Sequence, residues 1–441
     1  MEDNKKFIVY FLSVFAIYIV LALYFCGLKG GGIPWVNLTQ FVLASIMLCN
    51  FFVFASAKGS WKYLFFFLSF LLSCFFLKYQ YVSNGLSPFG SDPVDSILYM
   101  QLANKTSTLS LGDAMRMIAN YDKIDDIGMP VVARLCYMLG GSDDGYYNVL
   151  ILFNTIAVTV STLFVYKSSL LIFDKETARL ISAIYVSTCQ FSLFATTGLK
   201  ENFFLLIIIL SIYYLLKMYH QGISSGIIGF LVFTPLICFF RLAVIAQIIM
   251  ALGAAVLLKS KKYRWFGIAS VVIVTVYIVT NYMDLIIDML GGGSLESWII
   301  YAEAHNTGQS PFFQYFSQSV FSVIGNPPMF NIVDELDFVH FASFSACVRS
   351  FLSPFFIIGM IEAGKKIEIS KLFLVIYWLV GTFMLIVVLR GSDFRYSSMY
   401  YLPFLILTME GFNKRKNHWY SKYLCVFIYF VSLVVTRGWN L

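Results

Sequence analysis

Long apolar windows alternate with short polar punctuation along almost the whole chain. Apolar runs recur at 7–26, 38–56, 63–78, 149–168, 180–198, 202–216, 226–240, 242–258, 266–283, 346–362, 372–389, 396–412 and 423–436. Several run for about 18 residues without a charge, and a helix of that length crosses roughly 30 Å of hydrocarbon. Lipid offers no partner to backbone polar groups, so spans this apolar must pair internally as helices. A barrel would instead show alternating segments of about ten residues. The pattern predicts an all-α polytopic membrane protein with about thirteen transmembrane helices, forming one integral membrane domain over residues 1–441.

The connectors are unequal. Most are short, but 79–147 and 284–343 are long, and both hold stretches that read as short amphipathic helices. Composition agrees with the span reading: 59% of residues are hydrophobic and 12% charged, against about 25% charged in a soluble domain. Lys5, Lys6, Lys58, Lys62, Lys175, Arg179, Lys217, Lys259, Lys365 and Lys414 fall in every second connector. That puts this face and the N-terminus in the cytoplasm, and both long loops and the C-terminus outside. The net charge of +7 therefore reflects topology, and no nucleic-acid partner is expected. Residues 226–258 have basic flanks at both ends, so the chain must go out and return, with Arg241 at the outer apex and Pro235 fitting a kinked or early-ending first helix. The N-terminal apolar run lacks a small-residue cleavage site and reads as a retained first helix.

The eight cysteines lie mostly in apolar spans without CxxC spacing and read as packing residues. The four histidines share no ligand spacing, so no metal site is predicted. No cofactor is called for, although the acids of the first loop leave room for a divalent cation.

Candidate chemistry gathers on the outer side. The first long loop opens Ser87-Pro88-Phe89-Gly90-Ser91-Asp92-Pro93-Val94-Asp95 and passes into an amphipathic stretch, Ser96–Ala103. Asp92 or Asp95 would sit at that helix's start, close to the membrane. A carboxylate there can act as a general base towards a hydroxyl, and it can equally be an ordinary helix cap. Asp122, Asp125 and Asp126 follow, then a second amphipathic stretch to Leu139, and Asp143-Asp144-Gly145 closes the loop. Outer basic residues sit at span ends: Lys200 beside Glu201, Arg241, and Arg390 and Arg395 around Gly391-Ser392-Asp393. Charges at such depth mark function or pair with one another, and Arg binds phosphate bidentately. Phosphate gripping and pairing with Glu201, Asp284 and Asp393 both remain open. The aromatics of the second loop, Trp298 and Tyr301 among them, suit sugar stacking or the membrane interface.

Four features together carry a resemblance. They are the outer Gly90-Ser91-Asp92 loop with its Tyr99 helix, the Asp-rich stretch with Gly128 and Pro130 before Tyr147-Asn148, the turn Leu199-Lys200-Glu201, and Arg390-x-x-x-x-Arg395 before Pro403. The chain resembles bacterial membrane glycosyltransferases of the GT-C type, closest to surface-polysaccharide (O-antigen or capsule) polymerases of the Wzy-like or EpsG-like kind. The likeness covers residues 70–260 and 380–412. It departs from the type in placing two spans before the span that leads into the Asp loop. The resemblance implies an inner-membrane enzyme that uses a polyprenyl-phosphate or polyprenyl-diphosphate sugar donor and a glycan acceptor among membrane lipids, alongside other polysaccharide-assembly proteins. It implies Asp92, with Asp95 as alternate, as catalytic base. Lys200, Glu201, Arg241, Arg390 and Arg395 would form the substrate- and phosphate-binding set. The competing expectation is a flippase of lipid-linked oligosaccharide, which would favour shorter loops and charges deep within spans.

Overall fold

The computed structural model describes residues 2–23, 34–90, 94–121, 127–259, 341, 343–366, 368–389 and 397–415. Among them there is no strand, only an isolated bridge between Ser87 and Gly90. The helices are α1 (Glu2–Leu23), α2 (Pro34–Ser56), α3 (Trp61–Ser83), α4 (Val94–Ser107), α5 (Leu111–Ala119), α6 (Gly128–Gly140), α7 (Asp143–Leu170), α8 (Lys175–Val186), α9 (Gln190–Thr196) and α10 (Glu201–Gln221). They continue with α11 (Ile227–Leu236), α12 (Leu242–Lys259), α13 (Ser343–Lys366), α14 (Ile369–Leu389) and α15 (Tyr401–Arg415).

The architecture is that of a helical membrane protein. Among the described residues five helices are long and apolar enough to cross a membrane, and a bent pair makes a sixth. On α3 the reason is visible face by face. Phe66, Phe70, Cys74, Leu77 and Tyr81 are buried, while Leu64, Leu68 and Leu72 on the other side are exposed. A helix apolar on both faces has lipid, not water, on its outer side. The spans expected at 266–283 and 423–436 lie outside the described residues.

The chain divides into two units, one formed by Met1–Tyr213 with Pro327–Phe351 and Tyr429–Leu441, the other by Tyr214–Asn326 with Leu352–Ile428. In the first, α2 packs on α3 and α8, and α7 packs on α3, α6, α8 and α9. Aromatic rings fill the seams: Phe11 stacks on Phe51 at 3.8 Å, and Phe344 meets Tyr18 edge-on at 5.2 Å. The buried Lys62 ammonium lies 5.1–5.6 Å from the ring centroids of Phe54, Tyr63 and Tyr166. Such a ring of π-faces offsets part of the cost of burying a charge.

Two local structures depart from the sequence expectation. Asp143 and Asp144, read as a loop-closing turn, form the first turn of the 28-residue α7. Ser142 caps that helix by accepting from the Gly145 N–H, and the two carboxylates oppose the positive end of its dipole. The expected span 180–198 is two helices, α8 and α9, bent by 47°. Neither Pro nor Gly sits at the break. Instead the Ser187 and Thr188 hydroxyls donate back to the Ile184 carbonyl at 2.7 and 3.3 Å, competing with the helical ladder.

In the first outer loop, α4 and α6 pack together and α6 rests on α7. Arg134 of α6 ties the layer by donating to the carbonyls of Thr106, in the last turn of α4, and of Leu109 just beyond it, at 3.0 and 2.8 Å.

In the second unit α12 packs on α14, and α14 on α15. α13 and α15 touch backbone to backbone. A methyl on Gly359 would fall 1.8 Å from the Leu407 carbonyl oxygen, and one on Gly411 1.8 Å from that of Phe355. α11 holds Pro235 inside its last turn and runs to Leu236, a short 3-10 turn (Ile237–Phe239) follows, and α12 begins directly after Arg241.

Candidate functional site

One end of the first unit is assembled around two tight turns. After α3 the chain bends at Gly85 and folds Ser87–Gly90 into a turn, the Gly90 N–H donating to the Ser87 carbonyl at 2.9 Å. This turn presents Phe89, buried, with its ring edge-on to Tyr147 at 5.0 Å. The second turn ends α9. Gly198 takes φ 71°, and the Leu199 N–H donates to the Phe194 carbonyl at 3.0 Å, a Schellman closure. Lys200 follows, its carbonyl accepting from the Phe204 N–H at 3.0 Å, so α10 starts with Glu201.

Side chains bond the two turns together. The Tyr147 hydroxyl, at the start of α7, shares its proton between the Pro88 carbonyl at 2.6 Å and the Thr196 carbonyl. The Ser96 hydroxyl, in the first turn of α4, donates to the Thr197 carbonyl. Lower down, Ser73 and Ser192 hydroxyls pair at 2.8 Å. Asn154 of α7 and Asn202 of α10 join through their amides at 3.0 Å, and Asn202 also donates to the Phe191 carbonyl at 3.0 Å. α3, α4, α7, α9 and α10 are thus held by buried polar contacts, the kind of network that fixes a geometry.

Several predicted residues meet here. Asp95 stands exposed in the first turn of α4, beside Ser96 and so one hydrogen bond from the turn that carries Lys200 and Glu201. Lys200 is half-buried, and Glu201 is 7% exposed. Asp92, Arg390 and Arg395 lie outside the described residues, as do Asp122, Asp125, Asp126 and the second long loop up to 340. Arg241 belongs to the second unit, half-buried at the apex between α11 and α12. In that unit its charge reaches the hydroxyl of Tyr400, which donates to Gln247 of α12 at 2.7 Å.

Sequence reasoning missed Ser96, Tyr147, Asn154 and Asn202, which position the turns, and Lys78, a half-buried cation on the same side. The Lys78 ammonium donates to Asn148 at 3.0 Å and lies 4.4 Å from the Tyr147 ring centroid. The available signal was polar residues placed within apolar spans, which Asn154 and Lys78 both are. Among the described residues no three His, Cys, Asp or Glu side chains gather as a metal site. The six cysteines there are free thiols, Cys74, Cys136, Cys189 and Cys347 buried and Cys49 and Cys238 exposed.

No family model, no curated protein and no solved structure matches this chain.

Proposed function

We propose that this chain is a glycosyltransferase of a bacterial inner membrane, acting at the outer face on a polyprenyl-(di)phosphate-linked sugar or oligosaccharide and lengthening O-antigen or capsular repeats. In this reading about thirteen spans carry the site, with the N-terminus inside and the C-terminus outside. The observation that supports it is the hydrogen bond from Ser96 to Thr197, which brings the acidic start of α4 to the turn of Lys200 and Glu201.

The chemistry needs two opposite things. An acceptor hydroxyl attacks the anomeric carbon and loses its proton, while the bond from that carbon to the phosphate oxygen breaks and the phosphate leaves with the electron pair. Asp92 or Asp95 takes the proton. In this reading Lys200 stabilises the negative charge that grows on the leaving group, and Arg241, Arg390 and Arg395 are further candidate cations for a diphosphate. The sugar arrives activated on its lipid, so the reaction requires no nucleotide-binding domain.

The test replaces Asp92 and Asp95 by Asn, and Lys200, Arg241, Arg390 and Arg395 by Ala, one at a time, and follows lipid-linked product in membranes. Loss of the base is expected to slow product formation by about 10²–10⁴-fold. If every variant keeps wild-type polymer length and amount, the assignment is wrong.

A further inference from the structure

The first turn of α10 buries acceptor atoms that no donor among the described residues meets. Glu201 is 7% exposed, and its Oε2 has no hydrogen-bond donor. Asn202, 1% exposed, has the same deficit at Oδ1. The amide orientation behind this is fixed by bonding logic. The Asn154 amide nitrogen donates to the Leu150 carbonyl at 3.0 Å, which turns the Asn154 oxygen towards Asn202. Asn202 must then offer its nitrogen both there and to the Phe191 carbonyl, leaving its oxygen over. In this unit the buried hydroxyls of Tyr81 and Tyr146 also lack partners. Buried polar groups in native proteins are nearly always paired, so an orphan carboxylate oxygen calls for a donor.

The chemistry of the atoms selects among ligands. An anion is repelled by the carboxylate. A divalent cation takes six or more oxygens, and no cluster of three carboxylate, His or Cys side chains gathers here among the described residues. A neutral polyhydroxyl ligand satisfies the set: its hydroxyls donate to the two orphan acceptors and exchange hydrogen bonds with the tyrosines. We infer that Glu201 receives sugar hydroxyls, so that the start of α10 is the glycan-recognising part of the outer site and not part of its phosphate grip. This deepens the transferase reading, on which it rests for the sugar's role as substrate, and it moves Glu201 out of the phosphate-binding role expected from sequence.

The experiment uses the full chain in lipid nanodiscs free of glycosidic detergent. Glucose, galactose, mannose, N-acetylglucosamine and N-acetylgalactosamine are titrated singly, with magnesium chloride and sodium phosphate as separate probes, and the thermal midpoint is followed. At least one sugar should raise the midpoint saturably. E201Q and, as a second variant, E201D should weaken half-saturation by about tenfold or more, the scale of a hydrogen bond to a charged group. E362Q, at a surface ion pair, should bind as wild type. The inference is overturned if no sugar stabilises the wild type, if E201Q binds sugar unchanged, or if Glu201 governs a shift by magnesium or phosphate instead. Sugar binding lost in E201Q while the wild type itself lengthens no lipid-linked glycan would leave this inference standing and remove the transferase reading. Product lost in the base variants with sugar binding intact in E201Q would do the reverse.

Discussion

Gly198→Ala tests the turn on which the outer site depends. At φ 71° an L-residue is strained, at a cost of roughly 1–2 kcal/mol. The new methyl would also fall 3.2 Å from Leu150 Cδ2 and from two ring carbons of Phe89. Both neighbours are buried, so they yield only by displacing further packing, which adds about 1–3 kcal/mol. A total near 2–5 kcal/mol corresponds to a fall of roughly 4–20 °C in thermal midpoint for a unit of this size. The same replacement at Gly112 in α5 supplies the contrast, because nothing lies within 4 Å of a methyl there and Ala favours a helix by about 0.5–1 kcal/mol. The assay is midpoint measurement on purified protein in nanodiscs, G198A and G112A beside wild type. G198A must fall and G112A must hold or rise. A G198A midpoint within about 1 °C of wild type would show that the turn is not the constraint described.

In the second unit Lys371 bonds Glu410 at 3.1 Å with both side chains buried, and Glu368 at 3.3 Å. Glu410→Leu strands a buried ammonium and should cost about 3–5 kcal/mol, less whatever Glu368 recovers, whereas the double variant K371M/E410L should return towards wild type; a double variant no more stable than the single one refutes this. Gly411→Val drives side-chain carbons into the Phe355 carbonyl, so its midpoint should fall further than that of G198A, and equal midpoints would contradict the close crossing of α13 and α15. Burial pushes the Cys136 thiol, in the outer loop, from 9.0 up to about 12. The folded protein keeps this proton where the unfolded chain gives it up, so the stabilisation is complete below about pH 9 and declines as pH rises towards the folded value. Iodoacetamide should therefore spare Cys136 in the native state at pH ~9, and C136A should flatten the loss of midpoint at higher pH; rapid native alkylation would refute the burial.

Much of the scaffold was legible because lipid imposes one rule on every span. The apolar runs at 38–56, 63–78 and 202–216 became α2, α3 and α10 with ends moved by a few residues. The amphipathic stretch after Asp95 became α4, and the one before Leu139 became α6. What escaped was decided by groups that hydropathy treats as noise. The acids at 143–144 looked like a turn, but at the start of a helix their charge stabilises it, so α7 begins six residues before its apolar core at 149. The break between α8 and α9 comes from two hydroxyls that any apolar average absorbs. The candidate residues were legible only as types expected to share one face of a membrane. Its geometry was not, because Ser96, Tyr147, Asn154 and Asn202 act through bonds to residues about 50 to 100 positions away. Glu201 illustrates the gap: beside Lys200 in sequence it reads as half of an ion pair, whereas in the fold one of its oxygens is buried without a donor.

The central claim is that this protein makes glycosidic bonds at the outer face and does not carry lipid-linked sugar across the membrane. Purified protein reconstituted into liposomes with lipid-linked oligosaccharide tests it directly, by measuring both glycan length on the lipid and the sidedness of the donor. The account predicts longer lipid-linked glycan in the wild type and none with the double variant D92N/D95N, with donor sidedness unchanged in both. Donor equilibrating across the bilayer at constant glycan length would contradict it and identify a flippase.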